Sequence, residues 1–190
     1  MKVTTLHKED FETQCKILFS KIHNKPDVVV GILNGGGFVL EEYKKTASPN
    51  IELATVKLQR DSTKGIKRKS LLQKFLKASP NTLLDGLRLM ENRRNLNRKQ
   101  KEIQSDLDIK IKLKPEVVNT ILILDDALDS GATIKSVMQS LQKQFLNSEI
   151  ETAVISWTNS KSIIAPDYYL FKNTLVRFPW SLDYKTKSHG

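Results

Sequence analysis

Short, almost uninterrupted runs of apolar residues, each followed at once by polar or glycine-rich residues, limit the folds open to this chain. The clearest are VVVGIL at positions 28–33 and ILIL at positions 121–124. Strands that are buried on both faces of a parallel sheet have this composition, whereas a sheet with one solvated face gives an alternating pattern. Segments with helical periodicity separate the runs, as in sheets covered by helices on both sides. The sequence therefore predicts an α/β fold with a parallel sheet flanked by helices.

Periodicity and turn residues also predict the order of the elements. Predicted helices cover residues 8–23, 38–45, 69–105 (in two pieces, broken near ASPN) and 133–146. Predicted strands cover 26–33, 51–60, 117–124 and 150–157, and two short extended pieces follow at 165–170 and 174–180. The sequence NGGGF at 34–38 is expected to form a tight turn. We expect a single domain over residues 1–190.

Composition excludes several classes of protein. The chain has 190 residues, of which 39% are hydrophobic and 27% charged, as in an ordinary globular domain. Its one cysteine, Cys15, rules out an internal disulfide and a cysteine-based zinc site, and its place on an apolar stripe predicts a buried helix position. No apolar run approaches the roughly 20 residues of a membrane span, and no secretory signal is visible, so we expect a cytoplasmic protein.

The net charge of +10 is concentrated in one segment. Residues 64–114 contain fifteen Lys and Arg against five Asp and Glu, and the rest of the chain contains sixteen of each. We interpret this segment as basic, solvated helices beside an anion site. Contact with nucleic acid is the alternative, which the clustered Arg93, Arg94 and Arg98 favour and the lack of interleaved aromatic residues opposes.

The sequence ILILDDALDSGAT at 121–133 places two adjacent acidic residues, Asp125 and Asp126, at the carboxyl end of a predicted strand. Ligands bind at that end in open parallel sheets. The next residues lead into a helix N-terminus, whose free N–H groups favour a phosphate, and Gly131 lets the backbone approach it closely. A ligand that fits both halves offers hydroxyls or a metal to the carboxylates and a phosphate to the loop. A sugar phosphate with Mg²⁺ does so.

This stretch resembles the phosphoribosyl pyrophosphate (PRPP) motif of type I phosphoribosyltransferases, in which a strand, two acidic residues and a loop ending in Gly-x-Thr or Gly-x-Ser have the same spacing. The resemblance implies that Asp125 and Asp126 face the ribose hydroxyls and the water shell of Mg²⁺. It assigns the 5′-phosphate to the loop formed by Asp129, Ser130, Gly131, Ala132 and Thr133. In the purine branch of the family, the position of Asp129 is also the candidate general base beside N7 of the purine.

A second family feature occupies the turn after the first apolar strand. Relatives bind the diphosphate of PRPP there with backbone N–H groups, which the resemblance assigns to Asn34, Gly35 and Gly36. Several purine-type relatives have Lys or Arg at the position of Asn34, often beside a non-proline cis peptide, whereas this chain has an uncharged amide. Lys57 matches a basic position that meets the diphosphate in some relatives, and Arg60 is the alternative.

Family members also close a flexible loop over PRPP and read the acceptor with a C-terminal hood. Position assigns the flexible loop and a basic helical insertion to about residues 61–114 and the hood to about 157–184. The Pro-Asp-aromatic and Pro-Trp pairs of the hood resemble those of the hypoxanthine, xanthine and guanine enzymes. Thr158 falls nearest the lysine that reads the 6-oxo group there, with Lys161 as the alternative, and Leu175 replaces the aromatic residue that stacks on the purine. Trp180 completes the predicted acceptor-base set, with burial in the core as its alternative role.

The resemblance implies a Mg²⁺-dependent transfer of the 5-phosphoribosyl group from PRPP to a nucleobase, a 6-oxopurine first, with release of diphosphate. The sequence shows no cage of metal ligands, so Mg²⁺ is expected to arrive with PRPP, and the protein is expected to be a homodimer that binds no membrane. A PRPP- or nucleotide-binding regulator on the same fold is the alternative, which the uncharged Asn34 favours and the intact Asp129 opposes. A phosphoribosyl-specific hydrolase is a third, opposed by the lack of a visible nucleophile.

Overall fold

The centre of the molecule is a five-stranded parallel sheet. A computed structural model describes residues 1–58, 79–96 and 107–186, apart from the side chains of residues 81 and 91–96. Its strands are β1 Lys2–Thr5, β2 Val28–Leu33, β3 Glu52–Lys57, β4 Thr120–Leu128, β5 Glu149–Trp157, β6 Tyr168–Lys172 and β7 Thr174–Arg177. The main sheet has the order β3–β2–β4–β5–β6, and every neighbouring pair is parallel. The predicted α/β class with a parallel sheet is confirmed.

Helices cover both faces of this sheet. The described helices are α1 Lys8–Phe19, α2 Gly35–Lys44, α3 Asn81–Leu96 and α4 Ala132–Gln144. Ile121 and Ile123 of β4 share a buried cluster with α4, whereas Leu122 and Leu124 share the other cluster with α1 and α2. Since successive strand residues point to opposite faces, this double burial explains the uninterrupted apolar run of β4. None of the described helices has the length and apolar character needed to cross a membrane.

Helix α1 ends earlier than its sequence pattern predicts. The predicted helix continues to residue 23, but α1 stops at Phe19 and its C-cap is Ser20. Cys15 is fully buried on the inner face of α1, as expected from the apolar stripe. Burial raises the pKa of its thiol to about 12, helped by the nearby negative charge of Glu42. Cys15 is therefore a packing residue rather than a nucleophile.

Other boundaries differ from the predicted ones as well, and two of these differences lie beside the polar motifs. The strand predicted to end at Leu124 continues as β4 to Leu128, which pairs with Trp157 of β5. The predicted NGGGF turn is instead the first turn of α2, which begins at Gly35. Glycine has a low intrinsic helix propensity, so we attribute the start of α2 at Gly35 to its packing against β4. The acidic pair thus lies inside a strand, and the glycines lie inside a helix.

A second, two-stranded sheet joins the two ends of the chain. β1 pairs in parallel with β7, with Val3 opposite Leu175. The sequence reading predicted β7 as an extended piece but missed β1, because four residues are too few to establish a periodicity. The Ser156 hydroxyl at the end of β5 donates a hydrogen bond of 2.6 Å to the carbonyl oxygen of Thr174. This small sheet therefore lies near the carboxyl end of β5, and its strand β7 belongs to the segment predicted as the hood.

The described part of the basic insertion is anchored to the rest of the molecule. Leu84 of α3 is buried, and Arg88 donates hydrogen bonds of 3.1 and 2.7 Å to the Asp183 carboxylate. At the other end of the segment, Ile109 is buried in the core and Leu113 N–H donates to the Glu52 carboxylate. Helix α3 is therefore solvated on one side only, and its other side packs against the rest of the molecule. The predicted flexible loop and first helical piece, within 61–78, lie outside the described residues.

Candidate active site

The carboxyl edge of the main sheet brings the two polar motifs to one place. β2 lies between β3 and β4, with Leu33 opposite Lys57 and Gly31 opposite Leu124. Asn34 follows Leu33 directly, and Asp125 follows Leu124. The predicted diphosphate turn, the predicted basic residue Lys57 and the acidic pair therefore emerge from three adjacent strands. Both Asn34 and Lys57 are exposed there, whereas Arg60 lies outside the described residues.

The first turn of α2 lies directly against the acidic pair. A Cβ atom at Gly35 would be 2.1–2.2 Å from the carboxyl atoms of Asp126. At Gly36 it would be 2.3 Å from the carbonyl oxygen of Leu124. At Gly36 the blocking atoms are backbone, so glycine is needed there for the close approach of α2 to β4. At Gly35 a side chain would have to displace the carboxylate of Asp126. The peptide bond between Leu33 and Asn34 is cis, a feature that the family resemblance associates with this turn.

The two adjacent aspartates have different surroundings. The Asp125 side chain is buried, and its Oδ1 accepts a hydrogen bond of 2.9 Å from the N–H of Asp126. Oδ2 of Asp126 accepts one of 3.1 Å from the indole Nε1–H of Trp180. Burial raises the pKa of Asp126, the Trp180 hydrogen bond opposes that rise, and the charge of Asp129 adds to it. Among the described residues no Lys or Arg forms an ion pair with Asp126, so its carboxylate is suited to receive hydroxyl donors or a cation.

The predicted phosphate loop is held by a segment of the hood. Gly131 is the N-cap of α4 with φ of 82°, a left-handed conformation that favours glycine, and a Cβ there would be 2.9 Å from Ile164. Ser130 accepts a hydrogen bond at Oγ from Ala132 N–H (3.3 Å) and another at its carbonyl oxygen from Ile163 N–H (2.9 Å). The first N–H groups of α4 have no acceptor within the helix, and the helix dipole makes that end attractive to an anion. Thr133 lies in this first turn and is partly exposed.

The predicted general base and a predicted acceptor-base residue touch each other. The Oγ1 hydroxyl of Thr158 lies 2.6 Å from Oδ1 of Asp129. Asp129 is exposed, whereas Thr158 follows the end of β5 and is 2% exposed. The backbone N–H of Thr158 donates to the carbonyl oxygen of Leu128, at 3.0 Å. Thr158 therefore contacts Asp129 but does not itself face the open part of the site.

The other two predicted acceptor-base residues lie inside the hood. Leu175 is buried in β7. Trp180 is partly buried, stacks on Phe38 of α2 and on Phe178 at centroid distances of 4.2 and 4.9 Å, and contacts Phe11 edge-on. Its indole thus links the hood to both the diphosphate turn and the acidic pair. Lys161, the alternative cation for the acceptor, is exposed, and its backbone N–H donates to Asn159.

The carboxylates of Asp125 and Asp126 suit a metal ion whose other ligands are water molecules and substrate oxygens. Over residues 1–58, 79–96 and 107–186 no group of three or more His, Cys, Asp and Glu side chains could hold a metal ion. Asp125 and Asp126 offer carboxylate oxygens without a closed cage. Mg²⁺ keeps several waters and is often bound through one or two carboxylates plus substrate phosphates, so this pair suits it.

Three contacts of the site were not predicted from the sequence. They are the Thr158–Asp129 hydrogen bond, the Trp180–Asp126 hydrogen bond and the ionic cluster that fixes the hood. In that cluster Arg177, which is 4% exposed, bonds both Asp183 and Asp85 of α3. Each contact joins residues at least 29 positions apart or depends on the docking of α3, so no local pattern could reveal it. The neighbouring RFPWSLD sequence gave the only signal, a cluster of polar and aromatic residues in one short segment.

Comparison with known proteins agrees with this geometry. The model of the phosphoribosyl transferase domain family matches residues 3–187. No curated protein matches the sequence significantly. Among solved structures, a purine phosphoribosyltransferase from Pyrococcus horikoshii is 20% identical, with 99% of each chain covered and a TM-score of 0.60. A xanthine-guanine-hypoxanthine phosphoribosyltransferase from Helicobacter pylori is 14% identical over 93% of this chain and 90% of that one, with a TM-score of 0.54.

A third solved structure adds a different ligand. It is a hypothetical protein from Neisseria gonorrhoeae with bound ppGpp, 15% identical over 95% of this chain and 90% of that one, with a TM-score of 0.53. At these identities the solved structures establish the fold alone. The family model covers nearly the whole sequence and includes the strand, the acidic pair and the phosphate loop. The chain therefore belongs to the phosphoribosyl transferase domain family and is, by class, a phosphoribosyltransferase.

Proposed function

We propose that the protein transfers the 5-phosphoribosyl group from PRPP to a nucleobase and releases diphosphate. With a purine, N9 would attack C1′ while the bond from C1′ to the diphosphate oxygen breaks, and the electron pair would leave with the diphosphate. The purine would lose its N7 proton to a carboxylate. The observation that carries the proposal is the contact between the two motifs, because the glycine turn packs against the carboxylate of Asp126.

The residues of the sheet edge would divide the binding of PRPP. The backbone of Asn34, Gly35 and Gly36, together with Lys57, would hold the diphosphate. Asp125 and Asp126 would face the ribose hydroxyls and hold Mg²⁺ through water, and the metal would neutralise charge on the departing diphosphate. The 5′-phosphate would bind the loop Asp129, Ser130, Gly131, Ala132 and Thr133. The protein would then act by positioning and charge stabilisation rather than by covalent chemistry.

Asp129 would act as the general base. Its side chain is exposed at the mouth of the phosphate loop, which is where the acceptor would lie against C1′. A 6-oxopurine is the first acceptor to test. The sequence resembles the purine branch of the family, and two of the similar structures are purine phosphoribosyltransferases. By the family resemblance, Thr158 and Leu175 stand where the purine branch carries a lysine and an aromatic residue, so the acceptor pocket would differ from that of the branch. Other nucleobases therefore belong in the same assay.

The test is to identify the product formed from PRPP and Mg²⁺ with guanine, hypoxanthine, xanthine, adenine, uracil or orotate, each supplied alone. Mass spectrometry of the mixture would report the nucleotide, and a coupled assay would report the diphosphate. We expect one or a few bases, 6-oxopurines first, to give a nucleotide and an equal amount of diphosphate. Diphosphate without a nucleotide would indicate hydrolysis instead. Neither product with any base would overturn the transfer.

A regulator that binds PRPP or a nucleotide is the second candidate. The uncharged Asn34 favours it, and the similar Neisseria gonorrhoeae structure contains ppGpp. The basic segment could then contact nucleic acid. A regulator should show thermal stabilisation by PRPP or ppGpp but no turnover, together with RNA or DNA binding that persists above roughly 0.2 M salt. Binding that disappears between roughly 0.1 and 0.2 M salt would reflect charge alone.

We also propose a homodimer and a cytoplasmic location, on the basis of family likeness. Light scattering after size exclusion tests the first part, since a dimer should have twice the 21.6 kDa mass of one chain. A mass of one chain at micromolar concentration would contradict it.

A further inference from the structure

We infer that Thr158 is a positioning residue that holds the carboxylate of Asp129 in the orientation needed to accept the acceptor's proton. The inference rests on the proposed function, because it gives Asp129 its role as general base. The family resemblance assigns Thr158 to the residues that bind the acceptor base. The geometry points to an action through Asp129 instead.

The hydrogen bond between the two side chains is short and well defined. A hydroxyl has one proton to donate, and Oγ1 of Thr158 has two acceptors near it: Oδ1 of Asp129 at 2.6 Å and the carbonyl oxygen of Leu128 at 3.2 Å. Donation to a carboxylate is stronger than donation to a neutral carbonyl, and O–H···O⁻ bonds are typically about 2.5–2.7 Å long. The proton therefore belongs on the Asp129 side of the hydroxyl.

Thr158 is fixed more rigidly than the residue it contacts. Its side chain is buried, and its N–H donates to Leu128 O at 3.0 Å, which continues the pairing of β4 with β5. Its β-branched side chain has few rotamers. Asp129 lies on an exposed loop between β4 and α4, where a carboxylate would otherwise sample several rotamers. The strand end thus supplies a fixed donor to an exposed carboxylate.

The contact leaves one oxygen of Asp129 for chemistry. Among the described residues, Oδ1 takes the Thr158 hydrogen bond and Oδ2 accepts none. Pinning Oδ1 fixes the direction in which Oδ2 presents its lone pairs. Because Thr158 is too buried to reach a bound base, its loss should change the rate of the chemical step more than the binding of PRPP.

A matched control exists on the same strand. Thr152 of β5 is 1% exposed, and its Oγ1 donates to Oδ2 of Asp167 at 2.8 Å. It lies six residues before Thr158, about 20 Å away along a strand. Thr152→Val therefore removes a buried threonine–aspartate hydrogen bond far from the sheet edge, and with it the bond of 3.0 Å that Oγ1 accepts from the Asp167 N–H, which makes it a stringent control for lost stability.

The experiment measures kcat and the KM for PRPP in wild type, Thr158→Val, Thr158→Ser and Thr152→Val, with melting temperatures of all four. We expect Thr158→Val to lower kcat by about 10- to 100-fold with little change in the KM for PRPP, and Thr158→Ser to restore most of the rate. Thr152→Val should lower the melting temperature without lowering kcat. If Thr158→Val does not fold, Thr158→Ala takes its place in the same comparison.

Two results would overturn the inference in different ways. An active wild type whose kcat is unchanged by Thr158→Val would remove the positioning role and leave the proposed function intact. The same conclusion follows if Thr158→Val and Thr152→Val lower kcat equally, since the loss would then track stability. A wild type that releases no diphosphate with any base would overturn the proposed function and the inference together.

Discussion

At Gly36 the first turn of α2 comes so close to β4 that a side chain has no room. A Cβ atom would lie 2.3 Å from the carbonyl oxygen of Leu124, and backbone atoms cannot move aside as a flexible side chain can. Gly86 in α3 is a natural control, because nothing lies within 4 Å of a Cβ atom there. Replacing Gly36 should therefore destabilise the protein, whereas replacing Gly86 should not.

We expect Gly36→Ala to lower the free energy of unfolding by about 1–3 kcal/mol or more, because α2 must shift away from β4. Gly86→Ala should raise it by about 0.5–1 kcal/mol, since alanine is the better helix former. Urea denaturation of the three proteins measures both changes. An unchanged midpoint for Gly36→Ala would contradict the close approach of the two motifs.

Asp126 should show a conflict between stability and ligand binding. Burial raises its pKa, so above the ordinary aspartate pKa the unfolded chain ionises more readily and stability falls as the pH rises. Asp126→Asn removes that loss and can still accept the Trp180 hydrogen bond. We expect the variant to melt at a higher temperature than wild type at pH 7, with a smaller difference or none near pH 4.

The same variant should bind PRPP more weakly, because it has lost a carboxylate that faces the ribose hydroxyls. Calorimetry with PRPP and Mg²⁺, beside thermal melts at both pH values, measures the two effects. A variant less stable than wild type at pH 7 would contradict the predicted destabilisation by ionised Asp126. A variant that binds PRPP as tightly as wild type would contradict the proposed contact with the ribose hydroxyls.

At this scale the sequence predicted residues that the structure brings to one edge of the sheet, but it did not predict their contacts. The spacing of Asp125, Asp126 and Gly131 identified the acidic pair and the loop because all three lie within one short stretch. The partners of Asp126 and Asp129 are Trp180 and Thr158, which the fold brings from other elements. Such contacts depend on how the hood packs, and no periodicity in the sequence records that.

At the scale of elements, a buried ionic cluster joins the hood to α3. Arg177 of β7 donates to Asp183 (2.9 Å), to Asp85 of α3 (2.5 Å) and to the Thr5 hydroxyl of β1 (2.8 Å). Three parts of the chain thus meet at one guanidinium. Removing it leaves the Asp183 carboxylate with Arg88 as its remaining cationic partner in the described structure.

We expect Arg177→Met to cost roughly 3 kcal/mol of stability, because it leaves a buried carboxylate undercompensated. Lys45→Met is the control: Lys45 pairs with Glu42 at 2.7 Å on the surface of α2, where ion pairs contribute little. Chemical denaturation compares the two. A loss for Arg177→Met no larger than that for Lys45→Met would show that the cluster does not hold the hood.

The same cluster predicts a pH dependence. Burial alone would raise the pKa of Asp183, but the hydrogen bonds from Arg88 and Arg177 outweigh it and lower the pKa below the ordinary value. A lowered carboxyl pKa contributes stability above the unfolded-state value, and that contribution disappears as the pH falls through the folded-state value. Asp183→Asn should therefore be less stable than wild type at pH 7, with the difference shrinking below about pH 4.

Thermal melts of wild type and Asp183→Asn from pH 3 to pH 7 test this sign. A difference that stays constant or grows towards acid pH would contradict the ionic role of Asp183.

Elements with strong apolar patterns were predicted well, and elements that depend on packing were not. β2 and β4 have continuous apolar runs, so their existence and parallel arrangement followed from the sequence. β1 has no such run, and α2 begins with three glycines that local preference would place in a turn. Pairing with β7 and contact with β4 decide these two cases, and both are interactions between distant parts of the chain.

For the whole molecule, the described helix of the basic segment is attached to the hood. The segment 64–114 holds all of the net charge, and its described helix α3 is fixed to the hood through Arg88 and Asp183. The predicted flexible loop belongs to the part of this segment that lies outside the described residues. If the proposed PRPP site is correct, the positive charge of this segment would favour the approach of a polyanionic substrate.

In the proposed reaction, Asp129 takes the acceptor's proton at a site built from both motifs. Diphosphate release from PRPP and Mg²⁺, measured with and without the best base in wild type and Asp129→Asn, tests it most directly. We predict release that requires the base and falls by about 10²-fold or more in Asp129→Asn, while PRPP still protects the variant against heat. Equal base-dependent release by both proteins would contradict the role of Asp129, and base-independent release would contradict the transfer itself.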